Sequence, residues 1–273
     1  MKHSTFLFNQ NNKNIFGQIW QPDTPKSVIV LVHGMGEHSS RYEDFVIPQL
    51  IKNDFVVIGF DQFGHGKSEG KRGHCPSYDA LLNLIEHVIK KGNDLHPNLP
   101  VYLYGHSLGG NLVINYGLRK AHTLQGIVAT SPYLKLAFNP PKWKLSIGKL
   151  LLKIAPSVTL PSELETDAIS RDKEEVKRYI KDKLVHDKVS PMYTFPIMDA
   201  GEWAINNANK LTVPMLVLHG TGDRIIDHKA SQAFCNNTPL ATLKLFTDGH
   251  HELHHDICKD AFMDTILTWL KTN

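Results

Sequence analysis

Short apolar runs alternate with amphipathic stretches along most of this chain. Six runs are continuous enough to form strands buried on both faces, and they lie at residues 28–32, 55–58, 101–104, 127–130, 215–218 and 243–246. Strands that alternate with helical stretches favour a mostly parallel sheet with right-handed crossover connections. The pattern therefore predicts an α/β fold in which helices flank a central sheet.

Between and after these runs, apolar residues recur at helical spacing and predict helices that pack on the sheet. One such face consists of Tyr78, Leu81, Leu82, Ile85, Val88 and Ile89. A closing helix is predicted from the positions of Ile257, Ala261, Phe262, Ile266 and Trp269.

The segment from residue 133 to residue 203 has a different pattern. Prolines interrupt short helical pieces, and no run has the character of a buried strand. An insertion after the strand that ends near Ser131 would cover one edge of the sheet. We therefore expect a core formed by residues 1–132 and 204–273, with residues 133–203 as a helical cap.

One helical face within the cap combines apolar residues with flanking lysines. The apolar positions are Trp143, Ile147, Leu150, Leu151 and Ile154, and the lysines are Lys142, Lys149 and Lys153. Such a helix either buries its apolar stripe against its own protein or lies in a membrane interface. Both interpretations stay open, and the second would give the cap a peripheral contact with a membrane.

Composition narrows the class of protein. A chain of 273 residues with 41% hydrophobic residues is long enough for one large domain with a buried sheet. The net charge of +3 is too small to indicate a nucleic-acid partner. No run reaches the ~18 apolar residues of a membrane span, and the N-terminus lacks a signal-peptide pattern. We expect a cytoplasmic protein whose three cysteines, Cys75, Cys235 and Cys258, are reduced.

The motif Gly105-His-Ser-Leu-Gly109 stands between a predicted strand and a predicted helix. A sharp turn at this point leaves the serine in a strained conformation, and the glycines allow the close backbone approach that the turn needs. The turn also sets the first N–H groups of the helix beside the hydroxyl. The motif predicts Ser107 as a nucleophile.

Residues that could complete a serine-based site follow in the chain order that such folds use. A His-Gly-Met-Gly motif directly follows the first buried run, which places the backbone N–H of Met35 opposite that of Leu108. Asp223 closes the motif after the fifth run, and His251 follows the sixth. Since active sites of open parallel sheets lie at the carboxyl edge, we expect these residues to meet Ser107 there.

The run His251-Glu-Leu-His-His255 also fits H-E-x-x-H, a motif that binds zinc from successive turns of one helix. Here the run follows Asp-Gly directly after a strand, and no obvious third ligand stands at a usual spacing. With 16 histidines in the chain, an accidental match is easy. We therefore predict that the site needs no metal and no organic cofactor.

Several segments together carry a family resemblance. They are His33–Tyr42, Asp61–Ser68, Gly105–Gly110, Gly222–Arg224 and, within the cap, Ile169–Val176. With these segments the chain resembles the monoacylglycerol lipase and lysophospholipase family of the α/β-hydrolases over nearly its whole length. The resemblance implies an α/β-hydrolase fold, with Ser107 as nucleophile, Asp223 and His251 as its partners, and Met35 and Leu108 as backbone oxyanion donors.

The resemblance also implies a binding end for the polar head of the substrate. Four polar positions match those that line the glycerol end of the site in such lipases, namely Glu37, Arg41, Tyr179 and His254. The chain departs from a mammalian form of the family at Ile226, where that form has a cysteine. Thiol-directed inhibitors of that form need not act here.

These expectations describe acyl transfer to water through a covalent acyl-serine. The resemblance implies a small lipid ester as substrate, a monoacylglycerol whose acyl tail lies under the cap. Lysophospholipids, short esters and small amides stay open as substrates, because the motifs specify the reaction and not the pocket. A ligand-binding protein without catalysis is the other alternative, although such proteins often lose one of the three catalytic residues.

Overall fold

An eight-stranded sheet forms the centre of the protein, and the computed structural model describes all residues from 1 to 273. The strands are β1 (Lys2–Gln10), β2 (Lys13–Gln21), β3 (Ser27–Val32), β4 (Phe55–Phe60), β5 (Val101–His106), β6 (Gly126–Thr130), β7 (Leu160–Pro161), β8 (Lys188–Val189), β9 (Met215–Gly220) and β10 (Ala241–Phe246). The helices are α1 (Val46–Lys52), α2 (Tyr78–Leu95), α3 (Leu108–Arg119), α4 (Lys142–Ile154), α5 (Lys173–Lys181), α6 (Pro191–Asn206), α7 (His228–Asn236) and α8 (Lys259–Thr272).

The main sheet has the order β1-β2-β4-β3-β5-β6-β9-β10, and β7 and β8 form a separate pair. All neighbours from β4 to β10 in this order are parallel, which confirms the predicted mostly parallel sheet. The six apolar runs all lie in these parallel strands.

The N-terminal hairpin of β1 and β2 is an addition to the predicted elements. These strands are antiparallel, and their apolar residues are interspersed with polar ones, so no continuous run marks them. The turn between them consists of Asn11 and Asn12, which adopt φ values of 51° and 56°. Two successive residues with positive φ are what a tight hairpin turn requires, and asparagine tolerates that conformation well.

Helices cover both faces of the sheet. Alternate residues of β3 point to opposite sides, where α2 and α3 pack on one face and α1 and α8 on the other. The predicted apolar face of α2 is confirmed, since its central leucine, isoleucine and valine residues are buried. Because α8 begins only at Lys259, Ile257 lies outside it and is 67% exposed, so its predicted place on that helix is wrong.

The residues between β6 and β9 include the predicted helical pieces, now seen as α4, α5 and α6. The side chains of Asn111 and Asn115 on α3 donate hydrogen bonds to the carbonyl groups of Ile197 (3.1 Å) and Ala200 (3.3 Å) on α6. The expected boundary between residues 203 and 204 therefore falls inside a helix that packs on the core. We propose that the cap ends near Ser190, before α6 begins.

No helix of the protein combines the length and the apolar character that a bilayer crossing requires.

The turn from β5 into α3 has the geometry of a nucleophile elbow. Ser107 adopts φ 53° and ψ −112°, a conformation that residues with a side chain rarely occupy. A Cβ atom at Gly109 would overlap the backbone carbonyl of Val32, and one at Gly105 would overlap the carbonyl of Gly109. This close packing of the elbow on the end of β3 fixes Ser107 at the carboxyl edge of the sheet.

We expect Gly109→Ala to lower the free energy of unfolding by about 1–3 kcal/mol, because the added methyl group has no room beside Val32. Denaturant unfolding followed by circular dichroism measures this. Gly92→Ala in α2 is the matched control, since its nearest contact outside the helix would be Val28 at 3.2 Å and alanine favours a helix. Equal losses of stability in the two variants would contradict this account of the elbow.

Candidate active site

Of the three residues predicted to react together, His251 lies within hydrogen-bonding distance of the other two. His251 Nε2 is 2.9 Å from Ser107 Oγ, and His251 Nδ1 is 2.7 Å from Asp223 Oδ2. All three residues are buried, and they follow the parallel strands β5, β9 and β10. In this arrangement the imidazole can act as the base that activates the serine hydroxyl.

The carboxylate of Asp223 is held on both of its oxygens. The backbone N–H groups of Ile225 and Ile226 donate to Oδ1 at 2.8 and 3.0 Å, and His219 Nε2 lies 3.1 Å from Oδ2. Burial alone would raise the pKa of Asp223, but His251 and His219 outweigh burial and hold it well below its ordinary range. The group therefore remains a carboxylate beside the imidazole.

Charged neighbours also set the protonation of His251. Burial alone would lower its pKa, but the carboxylate of Asp223, and more weakly those of Glu252 and Glu37, raise the pKa above the ordinary histidine value of 6.5. The Ser131 hydroxyl donates a 2.7 Å hydrogen bond to the carbonyl group of His251. The ring is thus fixed in place and receives a proton readily.

The loop that carries His251 is attached to the cap. Two backbone N–H groups of this loop donate to the carbonyl groups of Ala168 and Ile169, at 3.4 and 2.7 Å. An ion pair between Arg171 of the cap and the buried Asp256 joins the same two segments. Part of the cap segment that carries the family resemblance, residues 169–176, therefore supports the histidine of the site.

One predicted oxyanion donor, Leu108, directly follows Ser107, and the other, Met35, lies in the loop after β3. The N–H groups of Met35 and Leu108 donate no hydrogen bond to any group of the protein. A Cβ atom at Gly34 would lie 3.3 Å from Ser107 Cβ, so the loop after β3 runs against the nucleophile. Glu37 Oε1 fixes this loop by accepting a 2.6 Å hydrogen bond from the N–H of Gly34. Two free amide groups in such positions can stabilise a tetrahedral oxyanion.

Three of the four predicted head-group residues form one buried network. The Arg41 guanidinium donates to Glu37 Oε2 at 3.0 Å and forms a bidentate salt bridge with Glu252 at 2.7 and 2.8 Å. The same guanidinium lies over the ring of Tyr179, 4.7 Å from its centroid. The Tyr179 hydroxyl makes no hydrogen bond in the protein and is not fully enclosed, so it keeps its capacity to bind a further group.

The network carries a negative formal charge. Burial would raise the pKa values of Glu37 and Glu252, but the Arg41 guanidinium together with neighbouring histidines outweighs burial, and both pKa values are lowered. Two carboxylates on one guanidinium leave a charge of about −1 close to His251. This charge adds to that of Asp223 in favouring the protonated imidazole.

His254 differs from the other predicted head-group residues. It is 0% exposed, and its ring stacks on Tyr42 with centroids 4.9 Å apart and lies 4.8 Å from the ring of His106. Neither ring nitrogen has a hydrogen-bond partner, and burial lowers its pKa well below the histidine value. A side chain without exposed surface does not line a pocket, so the expected lining role of His254 is corrected to packing beneath the network.

The H-E-x-x-H run does not form the helix on which that zinc motif depends. Residues 253–255 make a single 3₁₀ turn, and His251 Nε2 faces Ser107. Ligand atoms of Glu252, His254 and His255 do lie within 4.8 Å of one another. Arg41 binds both oxygens of Glu252, however. Within this run, His251 therefore belongs to the serine site and Glu252 to the buried ion pair.

Two residues of the site carry no signal of their own in the sequence. Glu252 appears there only as part of the apparent zinc motif, and its partner Arg41 is 211 positions away. His219 stands at the end of β9 in the same motif as Asp223. Its position four residues before an aspartate at a strand end is the one available hint that the two side chains meet.

Comparison with known proteins gives matches along nearly the whole chain. Residues 23–257 match the family described as serine aminopeptidase, S33. An uncharacterized abhydrolase domain-containing protein of Dictyostelium discoideum is 36% identical over 97% of this chain, which spans 28% of that protein. The monoglyceride lipase of Rattus norvegicus is 31% identical over 97% of this chain and 89% of its own length. The crystal structure of Paleococcus ferrophilus monoacylglycerol lipase superposes with a TM-score of 0.85 at 35% identity, over 92% of this chain and 97% of that one.

We expect the rate of inactivation by a fluorophosphonate to rise with pH through a midpoint above 6.5, because only the neutral form of His251 accepts the Ser107 proton and its pKa is raised. Gel fluorescence of a labelled fluorophosphonate between pH 5 and 9 measures the rate. Ser107→Ala and His251→Ala should lose labelling, whereas His250→Ala should keep it. Persistent labelling of Ser107→Ala would overturn the choice of nucleophile, and a greater loss in His250→Ala would overturn the choice of base.

Proposed function

The chain belongs to the serine aminopeptidase S33 family of α/β-hydrolases, and we propose that it hydrolyses monoacylglycerols to fatty acid and glycerol through an acyl-serine intermediate. It has the α/β-hydrolase fold and is a carboxylic ester hydrolase. The observation that carries the proposal is the hydrogen-bonded chain of Ser107, His251 and Asp223 with two free amide groups beside it.

In the proposed reaction, His251 Nε2 accepts the Ser107 proton while Oγ attacks the ester carbonyl carbon. The N–H groups of Met35 and Leu108 donate hydrogen bonds to the oxyanion, which strengthen as charge develops there. Asp223 keeps the imidazole in the required tautomer and stabilises its protonated form. The intermediate collapses to acyl-serine as His251 gives its proton to the departing glycerol oxygen. Water, deprotonated by His251 in the same way, then attacks the acyl carbon, and His251 returns the proton to Ser107 Oγ as the fatty acid leaves.

The head-group region supports glycerol as the leaving group. A Cβ atom at Gly36 would lie 3.8 Å from the Tyr179 hydroxyl, so this hydroxyl is next to the oxyanion loop. The leaving group of an ester bound at Ser107 would come close to the same loop. A hydroxyl without a partner can bind a free hydroxyl of glycerol, whereas Arg41 and Glu37 are occupied with each other and hold the loop in shape.

We expect Tyr179→Phe to lower kcat/KM for a monoacylglycerol by about 2–10-fold, the effect of losing one uncharged hydrogen bond. The p-nitrophenyl ester and the methyl ester of the same fatty acid should be nearly unaffected, because their leaving groups have no hydroxyl to bind. Rates of fatty-acid release from the three substrates measure this. The change removes one oxygen atom, so it is milder than Arg41→Ala, which would remove the cation that pairs with two buried carboxylates.

Equal losses on all three substrates would assign Tyr179 to the fold or the reactive site in general, and the substrate proposal would return to an unspecified carboxylic ester. A wild-type preference for lysophospholipids in the same assay would make the protein a lysophospholipase.

A second part of the proposal concerns the lipid surface from which such substrates come. None of the residues of α4 is buried, and Trp143 and Ile154 are 62% and 69% exposed. Four of the five apolar residues of the stripe, Trp143, Ile147, Leu150 and Ile154, are therefore exposed instead of packed against the protein, which supports the second interpretation of this helix. Lysines flank the stripe, and anionic lipid head groups would attract them. We propose that α4 rests on a membrane surface while substrate enters beneath the cap.

The combined change Ile147→Ser and Leu150→Ser should weaken binding to vesicles of phosphatidylcholine and phosphatidylserine by at least about tenfold, because two large apolar side chains would no longer enter the interface. Sedimentation with the vesicles measures binding. Hydrolysis of a soluble p-nitrophenyl ester should stay unchanged. Leu7→Ser, at a residue 66% exposed on β1, is the control and should bind as the wild type does. Unchanged binding of the α4 variant would contradict the proposal.

A further inference from the structure

A second histidine contacts the aspartate of the reactive site. His219 is the penultimate residue of β9, is fully buried, and places Nε2 3.1 Å from Asp223 Oδ2. This oxygen is the one that His251 Nδ1 also contacts, at 2.7 Å. On the other side of the His219 ring, Nδ1 lies 2.8 Å from the hydroxyl of Ser231 on α7.

The partners of His219 determine where its hydrogen lies. Nε2 faces two acceptors, Asp223 Oδ2 and the carbonyl group of Ile226 at 3.3 Å, so Nε2 carries the hydrogen and donates it. In the neutral ring, Nδ1 then accepts the hydrogen of the Ser231 hydroxyl. The buried Ser231 thus selects the tautomer in which His219 can bind the aspartate.

We propose that His219 is a positioning residue for the reaction, which it assists by fixing the orientation and the charge distribution of Asp223. This inference rests on the proposed function, since it assumes that Asp223 supports His251. Two backbone amides hold Oδ1 and two imidazole rings hold Oδ2, so the carboxylate has no other orientation with equal hydrogen bonding. The chain of contacts runs from Ser231 through His219 and Asp223 to His251 and Ser107.

The donated hydrogen bond also has an electrostatic effect. It draws negative charge from Oδ2, which makes Asp223 a weaker base and keeps the shared proton on His251 rather than on the carboxylate. Without this bond, the carboxylate would hold the imidazolium more strongly. The acid limb of the pH profile would then move to higher pH. Other groups that face His251 are Glu252, Glu37 and the ring of His106, and substitution of His219 leaves all three in place.

The test compares two variants of similar side-chain length, His219→Gln and His219→Met. Glutamine keeps an N–H donor near the position of Nε2, whereas methionine fills the space without one. We expect His219→Met to lower kcat for a soluble p-nitrophenyl ester about tenfold or more, with KM little changed. The acid limb of the kcat–pH profile should move to higher pH. His219→Gln should recover most of both effects. Ser231→Ala, which leaves the ring in place, should move the acid limb in the same direction by a smaller amount.

Wild-type behaviour of His219→Met would overturn the inference, and so would equal losses in the two variants, because a packing role alone does not distinguish Gln from Met. If His219→Met does not fold, a wild-type pH profile for Ser231→Ala overturns the inference. The proposed function fails separately, by fluorophosphonate labelling that persists in Ser107→Ala. The Gln and Met variants are therefore compared only after the fluorophosphonate label of the wild-type protein has been located on Ser107.

Discussion

The conformation of Ser107 is the constraint on which the rest of the site depends. At φ 53° the chain turns from β5 into α3 within one residue, and the backbones of Gly109 and Val32 meet there without side chains between them. The turn holds the hydroxyl at the carboxyl edge of the sheet. It also leaves the N–H of Leu108 free at the start of α3, next to the loop that follows β3. One local conformation therefore supplies both the nucleophile and one of its oxyanion donors.

This constraint explains why the reactive residues can be predicted from the sequence. Ser107, Asp223 and His251 each stand within a few positions of the end of an apolar run. The carboxyl ends of neighbouring parallel strands lie at one edge, so local signals are sufficient once the runs are recognised as parallel strands. The sheet itself supplies the long-range part of the arrangement.

Features that depend on the path of loops are not predictable in this way. Arg41 meets Glu252 across 211 positions, and neither residue is part of a periodic pattern. The hydrogen bond from His219 to Asp223 depends on the turn after β9, not on β9 itself. The boundary predicted at residue 203 falls inside α6, a helix that packs on α3, and prolines and spacing do not indicate this tertiary contact. In each case polar contacts made by the folded chain decide the structure.

The cap contains two parts whose displacement would have different energetic consequences. Residues 168–171 bind the loop of His251 through backbone hydrogen bonds and the pair of Arg171 with Asp256, each bond contributing on the order of 1 kcal/mol. Moving residues 168–171 would therefore also displace His251, the general base of the reaction. In contrast, α4 has no buried residue and forms no hydrogen bond with the loop of His251. A displacement of α4, the part of the cap that presents its apolar face to the surroundings, would therefore leave these contacts with the loop of His251 in place.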